Sequence, residues 1–419
     1  MSEQPWAARI SEAFAVKLPA DVQAWFDAGN LPGLPLTTFD QPINPSGLLD
    51  PTTSTIWGGQ MLPDTLPVLG DGGGNVLCLR FGFDGTVSEV IHWDHEGGSW
   101  KPYGQSLAEA LILDASFSLI NQLDDESDLE GSSEEELFTF ADWGAKWISG
   151  LDATLLRNFA KDPNSLLSRL SERSVARVAI AHRQCREHLT TRLDRLCGQV
   201  GGGKIAKMLE VDWVEFRRWL AEPQLIPQSQ REALATITTF PFAELVHQDW
   251  DRAASKAQLV LQTRKDLAWP FAVLGRYENA QHNPAEAARY YAEGLSALGT
   301  SEDFTAAWSV LFSRQIKFIP QALAALKPSL DSENETYLRL FSSPRPAKDV
   351  RAYWVNRGEQ AERNGEYELA YRFYYAAGWD IPIGDGIEEV LERLEKVATK
   401  AGYSAPASLA RHHRLSLLK

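Results

Sequence analysis

The sequence predicts two parts: an α+β domain in which a sheet packs against helices, followed by an all-α, irregular helical-repeat domain. Three observations predict it. Strand-like runs are confined to the first third, at residues 76–79 and Val87–Trp93. After residue 136, the chain reads as helix-periodic segments with glycine and proline expected between them. A chain of 419 residues, 44% hydrophobic with 14 Trp, is too long for one core. The expected divisions are an α+β binding domain at 1–120, an acidic linker at 121–136, a helical region at 137–260 and a helical domain at 261–419.

The elements of the first third follow from local chemistry. Leu18 and Pro19, with Asp21, open a helix that carries Trp25 and Phe26. Residues 71–75, Asp-Gly-Gly-Gly-Asn, form a glycine turn into the apolar run 76–79. Asp84 and Gly85 are a hairpin signal before the partner strand. Residues 95–98 are polar and turn-rich, and from Gln105 onward Leu107, Ala110 and Leu111 repeat with helical spacing.

Taken in this order, the pieces resemble the SUKH superfamily, found in bacterial toxin-immunity proteins and in fungal cell-wall regulators of the Smi and Knr type. The matching residues are Leu18, Pro19, Asp21, Trp25 and Phe26, then Asp71, Gly74, Asn75 and the strand to Leu79, then Val90 to Glu96, then Ser106 before the closing helix. The likeness covers roughly the first third of the chain and rests on the order of the pieces. One departure is local: Gly29 and Asn30 precede an insertion, 31–55, rich in Pro, Gly and Thr, where the family usually ends its first helix in Asn-Gly.

Charge is unevenly placed. Residues 1–150 hold 5 Lys and Arg against 23 Asp and Glu, whereas residues 151–220 hold 13 against 8. Such an acidic module repels phosphate backbones and attracts basic proteins. Eight of the acids lie between Asp124 and Glu136 and read as a solvated linker. No apolar run of 18 residues implies a membrane span, and the opening residues lack a basic, apolar signal core. The three cysteines, Cys78, Cys185 and Cys197, are scattered, which fits a cytoplasmic protein with neither a disulfide framework nor a zinc site.

No catalytic set, metal site or cofactor is expected. His92, Asp94, His95 and Glu96 are the densest group of metal-ligand types, but no distant ligand completes them, and a polar strand end explains them better. Residues 198–204 satisfy the first part of a phosphate-loop pattern. Ile205 stands where Ser or Thr would hold magnesium, and the preceding segment reads as helix.

The helical part carries two resemblances. Within 189–240, Ala206, Val211, Phe216 and Trp219 match a helix-turn-helix of the phage-repressor type. Glu210 replaces the usual turn glycine, Asp212 caps the second helix, and Arg217 and Arg218 are its candidate DNA-binding residues. Phe271, Leu274, Gly275, Ala287, Tyr291 and Gly294 resemble a tetratricopeptide-type hairpin, as do Trp354, Gly358, Ala370, Tyr374 and Ala377. Ala287 and Ala370 are 83 residues apart, which is not a multiple of the usual repeat of about 34, so the array is irregular.

The functional expectation is a non-enzymatic, cytoplasmic immunity or adaptor protein whose acidic domain binds and blocks a basic protein. The resemblance implies a toxin domain as partner, often a nuclease, and the helical part offers a second protein a surface. Asp84, Glu89, Asp94 and Glu96 are the expected acidic rim, with Trp100 and Trp57 as anchors. The alternative is a DNA-associated regulator working through 189–240.

Overall fold

A computed structural model describes residues 4–28, 37–50, 56–95, 99–124, 134–158, 161–186, 201–212, 216, 226–237, 242–295, 297, 318–381 and 386–418. The chain divides into two compact units, 1–180 together with 350–419, and 181–349.

The first unit is built on a five-stranded antiparallel sheet in the order β1-β2-β3-β4-β5. Its strands are β1 (Gln41–Pro42), β2 (Thr65–Gly70), β3 (Val76–Phe81), β4 (Val87–Trp93) and β5 (Trp100–Gly104). The helices before and among them are α1 (Trp6–Phe14), α2 (Ala20–Ala28) and α3 (Pro45–Leu49). Sequence reasoning finds β3 and β4 but not β1, β2 or β5, and proline is the reason. Pro42 and Pro102 lie in the two edge strands, and Pro67 sits at a bulge in the β2–β3 ladder, which are the places where a sheet tolerates a missing N–H. The insertion also supplies structure, since β1 lies within it and pairs with β2. Between β3 and β4, Asp84 accepts from Thr86 N at 3.0 Å, and Gly85 takes φ +75°.

One face of the sheet, with Leu66, Leu77, Leu79, Phe81 and Val90, shares a core with Ile10 and Phe14 of α1, Val22 and Phe26 of α2, and the long helix α4 (Leu107–Asp124). Helix α4 begins with a Ser106–Glu109 cap: Glu109 N donates to Ser106 Oγ, and the Glu109 carboxylate accepts from Gln105 N. The Asp21 carboxylate adds a third contact, accepting from Ala108 N at 3.3 Å. Farther along, Asp114 accepts from Thr38 N and from the Tyr103 hydroxyl, fixing residue 38 and β5 to the same helix. Burial pushes the Asp114 carboxyl above its ordinary range, against the lowering effect of these hydrogen bonds.

This core does not end at residue 120. Phe140 and Ala141 of α5 (Glu134–Trp147), Leu156 of α6 (Ala153–Arg157), Leu166 and Leu170 of α7 (Pro163–Leu170) and Ala176 of α8 (Ser174–Arg186) belong to it. Arg173 forms an ion pair with the buried carboxylate of Glu109. The expected boundaries at 120 and 137 therefore cut through one packed body. The charged run at 124–136 breaks the hydrophobic pattern of the sequence without ending the domain.

Four more helices, α16 (Pro346–Arg363), α17 (Tyr367–Trp379), α18 (Ile387–Ala401) and α19 (Ser404–Leu415), close the chain. From Val350 onward they belong to the first unit, so 261–419 is not one domain. Tyr375 Oη donates to Asp64 at 3.2 Å and Trp379 Nε1 to Met61 O at 3.1 Å. The basic last helix contributes to the core. His413 is fully buried, with its Nε2–H donating to Thr65 O at 3.1 Å. Burial lowers its imidazole to about 4.

The second unit is helical among its described residues: α9 (Gly202–Met208), α10 (Gln228–Ile237), α11 (Phe242–Leu261), α12 (Ala268–Ala280), α13 (Pro284–Leu295), α14 (Phe318–Leu326) and α15 (Ser332–Leu340). Helices α11 to α14 pack as successive neighbours. In α12 the run Ala268–Arg276 is buried on all sides, as befits a helix between others.

Candidate functional site

Two places in the sheet draw together the residues singled out by sequence, and they differ in access to solvent. Both lie on the face opposite α4. Antiparallel pairing puts Arg80 across from Glu89, Cys78 across from Ile91, and Trp93 across from both Val76 and Trp100 on that face.

The inner place is a network around Arg80. Its guanidinium is 3.0 Å from Asp64, 3.1 Å from Glu89, and 4.8 Å from the centre of the Trp100 ring. The hydroxyl of Tyr375 completes the Asp64 carboxylate. Desolvation and the adjacent Asp64 charge push the Tyr375 phenol well above its ordinary value, so it acts as a neutral donor. The buried Tyr371 phenol is pushed up for the same reasons. Glu89 and Trp100 are both buried here. This corrects their expected placement on a binding rim: Glu89 neutralises Arg80 from the adjacent strand, and Trp100 serves as the floor under the guanidinium. Alternation along β4 and β5 signals an inward position, but two polar-looking strand ends mask it.

The outer place is at the end of the sheet where the β2–β3 and β4–β5 turns meet. Asp71 organises the glycine turn by accepting from Gly73 N, Asn75 N and Asn75 Nδ2. Asn75 Oδ1 then accepts from His95 N at 3.3 Å. Gly74, at φ +106°, leaves room for the His95 ring, which would lie 2.8 Å from an added Cβ. On this support stands Trp57, 46% exposed, its ring 5.9 Å from buried Trp93 and 6.3 Å from His95. Its carbonyl accepts from Gln60 N and Met61 N. An added Cβ on Gly58 would meet His413 O at 2.6 Å, and one on Gly59 would meet Ile387 at 2.9 Å, so the turn is held closely from behind. The glycine pair after an exposed-type Trp is the sequence signal for this pinned turn.

Asp94 lies beside this end, between Trp93 and His95, and is half-buried. Asp84 is exposed at the opposite end of the β3–β4 hairpin. Hydrogen bonds from Thr86 hold its carboxyl below the ordinary range. Glu96 lies outside the described residues. The expected acidic rim is thus not one surface: Asp94 is near Trp57, Asp84 is at the far turn, and Glu89 is interior. His92 packs edge-on against Phe39 and Tyr103 on the α4 side, at 5.1 Å and 5.6 Å. Among the described residues, no group of three or more His, Cys, Asp and Glu could hold a metal ion.

In the second unit, Arg217 and Arg218 lie outside the described residues, as does Trp219. The turn before them is described. Glu210 adopts φ +53°, the left-handed conformation that the missing glycine would supply, and Val211 N donates to Ala206 O at 2.9 Å. Ile205, Ala206, Leu209, Phe216 and Leu234 form a small core around this turn. Lys204 and Lys207 are exposed on α9.

No helix among the described residues is long and apolar enough to cross a membrane. Compared with family models, with curated proteins and with solved structures, the chain matches none.

Proposed function

We propose that this chain is a non-enzymatic binding protein of the immunity or adaptor type, whose acidic first unit engages a basic protein partner and blocks it by occupying its surface. The observation that carries the reading is the pairing of a strongly acidic segment, 5 cations against 23 anions over residues 1–150, with one exposed tryptophan held rigidly at the sheet end. The charge steers a cationic partner and the aromatic ring prolongs the contact. The SUKH-like order of elements in the first third points the same way and suggests a toxin domain, often a nuclease, as the partner. The reading places the protein in the cytoplasm.

The test uses the full chain, because residues 1–120 share their core with 137–180. A partner captured on it is purified, and its association rate is measured at 50 and 300 mM NaCl. Steering predicts a fall of about tenfold or more. A rate that does not change with salt overturns the proposal.

A second reading, a DNA-associated regulator, is favoured by the left-handed Glu210 turn and the small core around it. In that reading Arg217 and Arg218 contact the duplex. Gel shift of the full chain on mixed-sequence duplex DNA at 50 mM NaCl, compared with Arg217→Ala and Arg218→Ala, decides it. Absence of any shift ends this alternative.

A further inference from the structure

Among the described residues, four large hydrophobic side chains are exposed, and Trp57 is the single tryptophan of the four. An indole face left in water keeps apolar surface that a partner can bury, and an exposed aromatic on a well-supported turn is suited to anchoring one. The support is extensive. Trp93 and His95 flank the ring, the following turn accepts no side chain at Gly58 or Gly59, and the Trp57 carbonyl closes that turn. A side chain fixed in this way loses little conformational freedom when something lands on it.

The surroundings limit what can land. The five cations of residues 1–150 are engaged elsewhere: Arg9 lies over Trp6, Lys146 over Trp147, and Arg80 between Asp64 and Glu89. Lys17 lies near enough to Asp84, and Lys101 to Asp114, to exert a lowering effect on those carboxyls. Among the described residues, no cation of the chain stands over Trp57. Asp94 lies at this end of the sheet, and the excess of 23 carboxylates over five cations in residues 1–150 gives the segment a net negative charge that attracts cationic partners. A negative field and an open indole face together suit a flat cation better than an apolar or anionic group.

We infer that Trp57 is the docking platform for an arginine side chain of the basic partner, with the guanidinium stacked on the outer indole face and drawn there by the net negative charge of residues 1–150. This deepens the protein-binding reading above and rests on it. Arginine is specified over lysine because a planar, weakly hydrated guanidinium stacks on the ring, whereas an ammonium keeps its water.

The probes are nona-arginine and nona-lysine peptides, titrated into the full chain and into its Trp57→Ala and Trp57→Phe variants at 50 and 300 mM NaCl. Thermal midpoints confirm that the variants fold. Trp57→Ala is expected to weaken nona-arginine binding about two- to fivefold, with the loss persisting at 300 mM NaCl. Trp57→Phe falls between, and nona-lysine is affected less. Equal binding of nona-arginine by wild type and Trp57→Ala overturns the platform while leaving the acidic-surface reading intact. An equal loss for both peptides overturns the choice of arginine. Failure of wild type to bind either peptide at 50 mM NaCl overturns both the platform and the reading beneath it.

Discussion

The helix pair α12–α13 in the second unit and the pair α16–α17 in the first close by the same device. Gly275 faces Tyr291, and Gly358 faces Tyr374. An added Cβ would lie 2.2 Å from the tyrosine ring in the first pair and 2.4 Å in the second. Phe271 and Trp354, Ala287 and Ala370, and Tyr291 and Tyr374 each stand 83 residues apart, so the two pairs are in one register. Their outward stripes are not alike. Ala288 and Ala292 of the first correspond to Tyr371 and Tyr375 of the second, whose stripe continues to Trp379. In the second unit, Gly294 on the same helix comes close to Ile319 at the start of α14, so small residues admit another helix. In the first unit the aromatic stripe reaches the sheet through Asp64 and Met61. The closure therefore sets the angle within a hairpin, and three side chains decide whether it meets a helix or a strand.

The largest expected effect tests whether the aromatic stripe is held to the sheet by the Arg80 network. Arg80→Ala removes the guanidinium that bridges Asp64 and Glu89, both largely buried. The expected cost is about 3–5 kcal/mol in urea unfolding. Hydrogen exchange is expected to rise in β2 to β4 and in α17 together. If α17 retains full protection while the strands lose theirs, the stripe is held by packing alone.

The next effect concerns α19, which brings His413 to β2. The ring is neutral when folded, at about 4, against about 6.5 in the unfolded chain. Between these values the unfolded state binds more protons, so stability rises with pH through the window and is lost as pH falls from about 6.5 to 4. The loss attributable to this ring is about 3 kcal/mol by pH 4. It is read as the difference in the pH dependence of the urea midpoint between wild type and His413→Gln. Parallel curves for the two proteins would show that the ring is not buried in neutral form.

The same contrast explains what the sequence makes legible. Hairpin closure depends on small residues and aromatics at fixed spacing along one helix pair, so Gly275, Gly358 and their tyrosines can be read locally. The β3–β4 hairpin is equally local, with Asp84 and Gly85 at its turn. The assignment of 350–419 to the first unit depends on contacts such as Tyr375 to Asp64 and His413 to Thr65, which join residues more than 300 positions apart. No local pattern encodes that separation. For the candidate site, Trp57 and Asp94 lie at the sheet end beside the glycine turn. Glu89 and Trp100 are interior, because a charged residue in a strand looks exposed until its counter-ion on the next strand is known.

The smallest effect separates the two hairpins directly. Gly275→Ala and Gly358→Ala each force a methyl group against a tyrosine ring, at an expected cost of about 1–3 kcal/mol from overpacking. A gain of up to about 1 kcal/mol from alanine's helix propensity partly offsets it. The same chemistry should report in different places. Gly358→Ala moves Tyr374, whose hydroxyl donates to Glu362 at 3.1 Å, and disturbs the helix that carries Tyr371, Tyr375 and Trp379. Exchange should therefore accelerate in β2 and β3 as well as in α16 and α17. Gly275→Ala should accelerate exchange in α12 to α14 and leave the strands protected. If both variants loosen the strands equally, the outward stripes do not divide the labour between the hairpins, and the closure itself sets the stability of the whole chain.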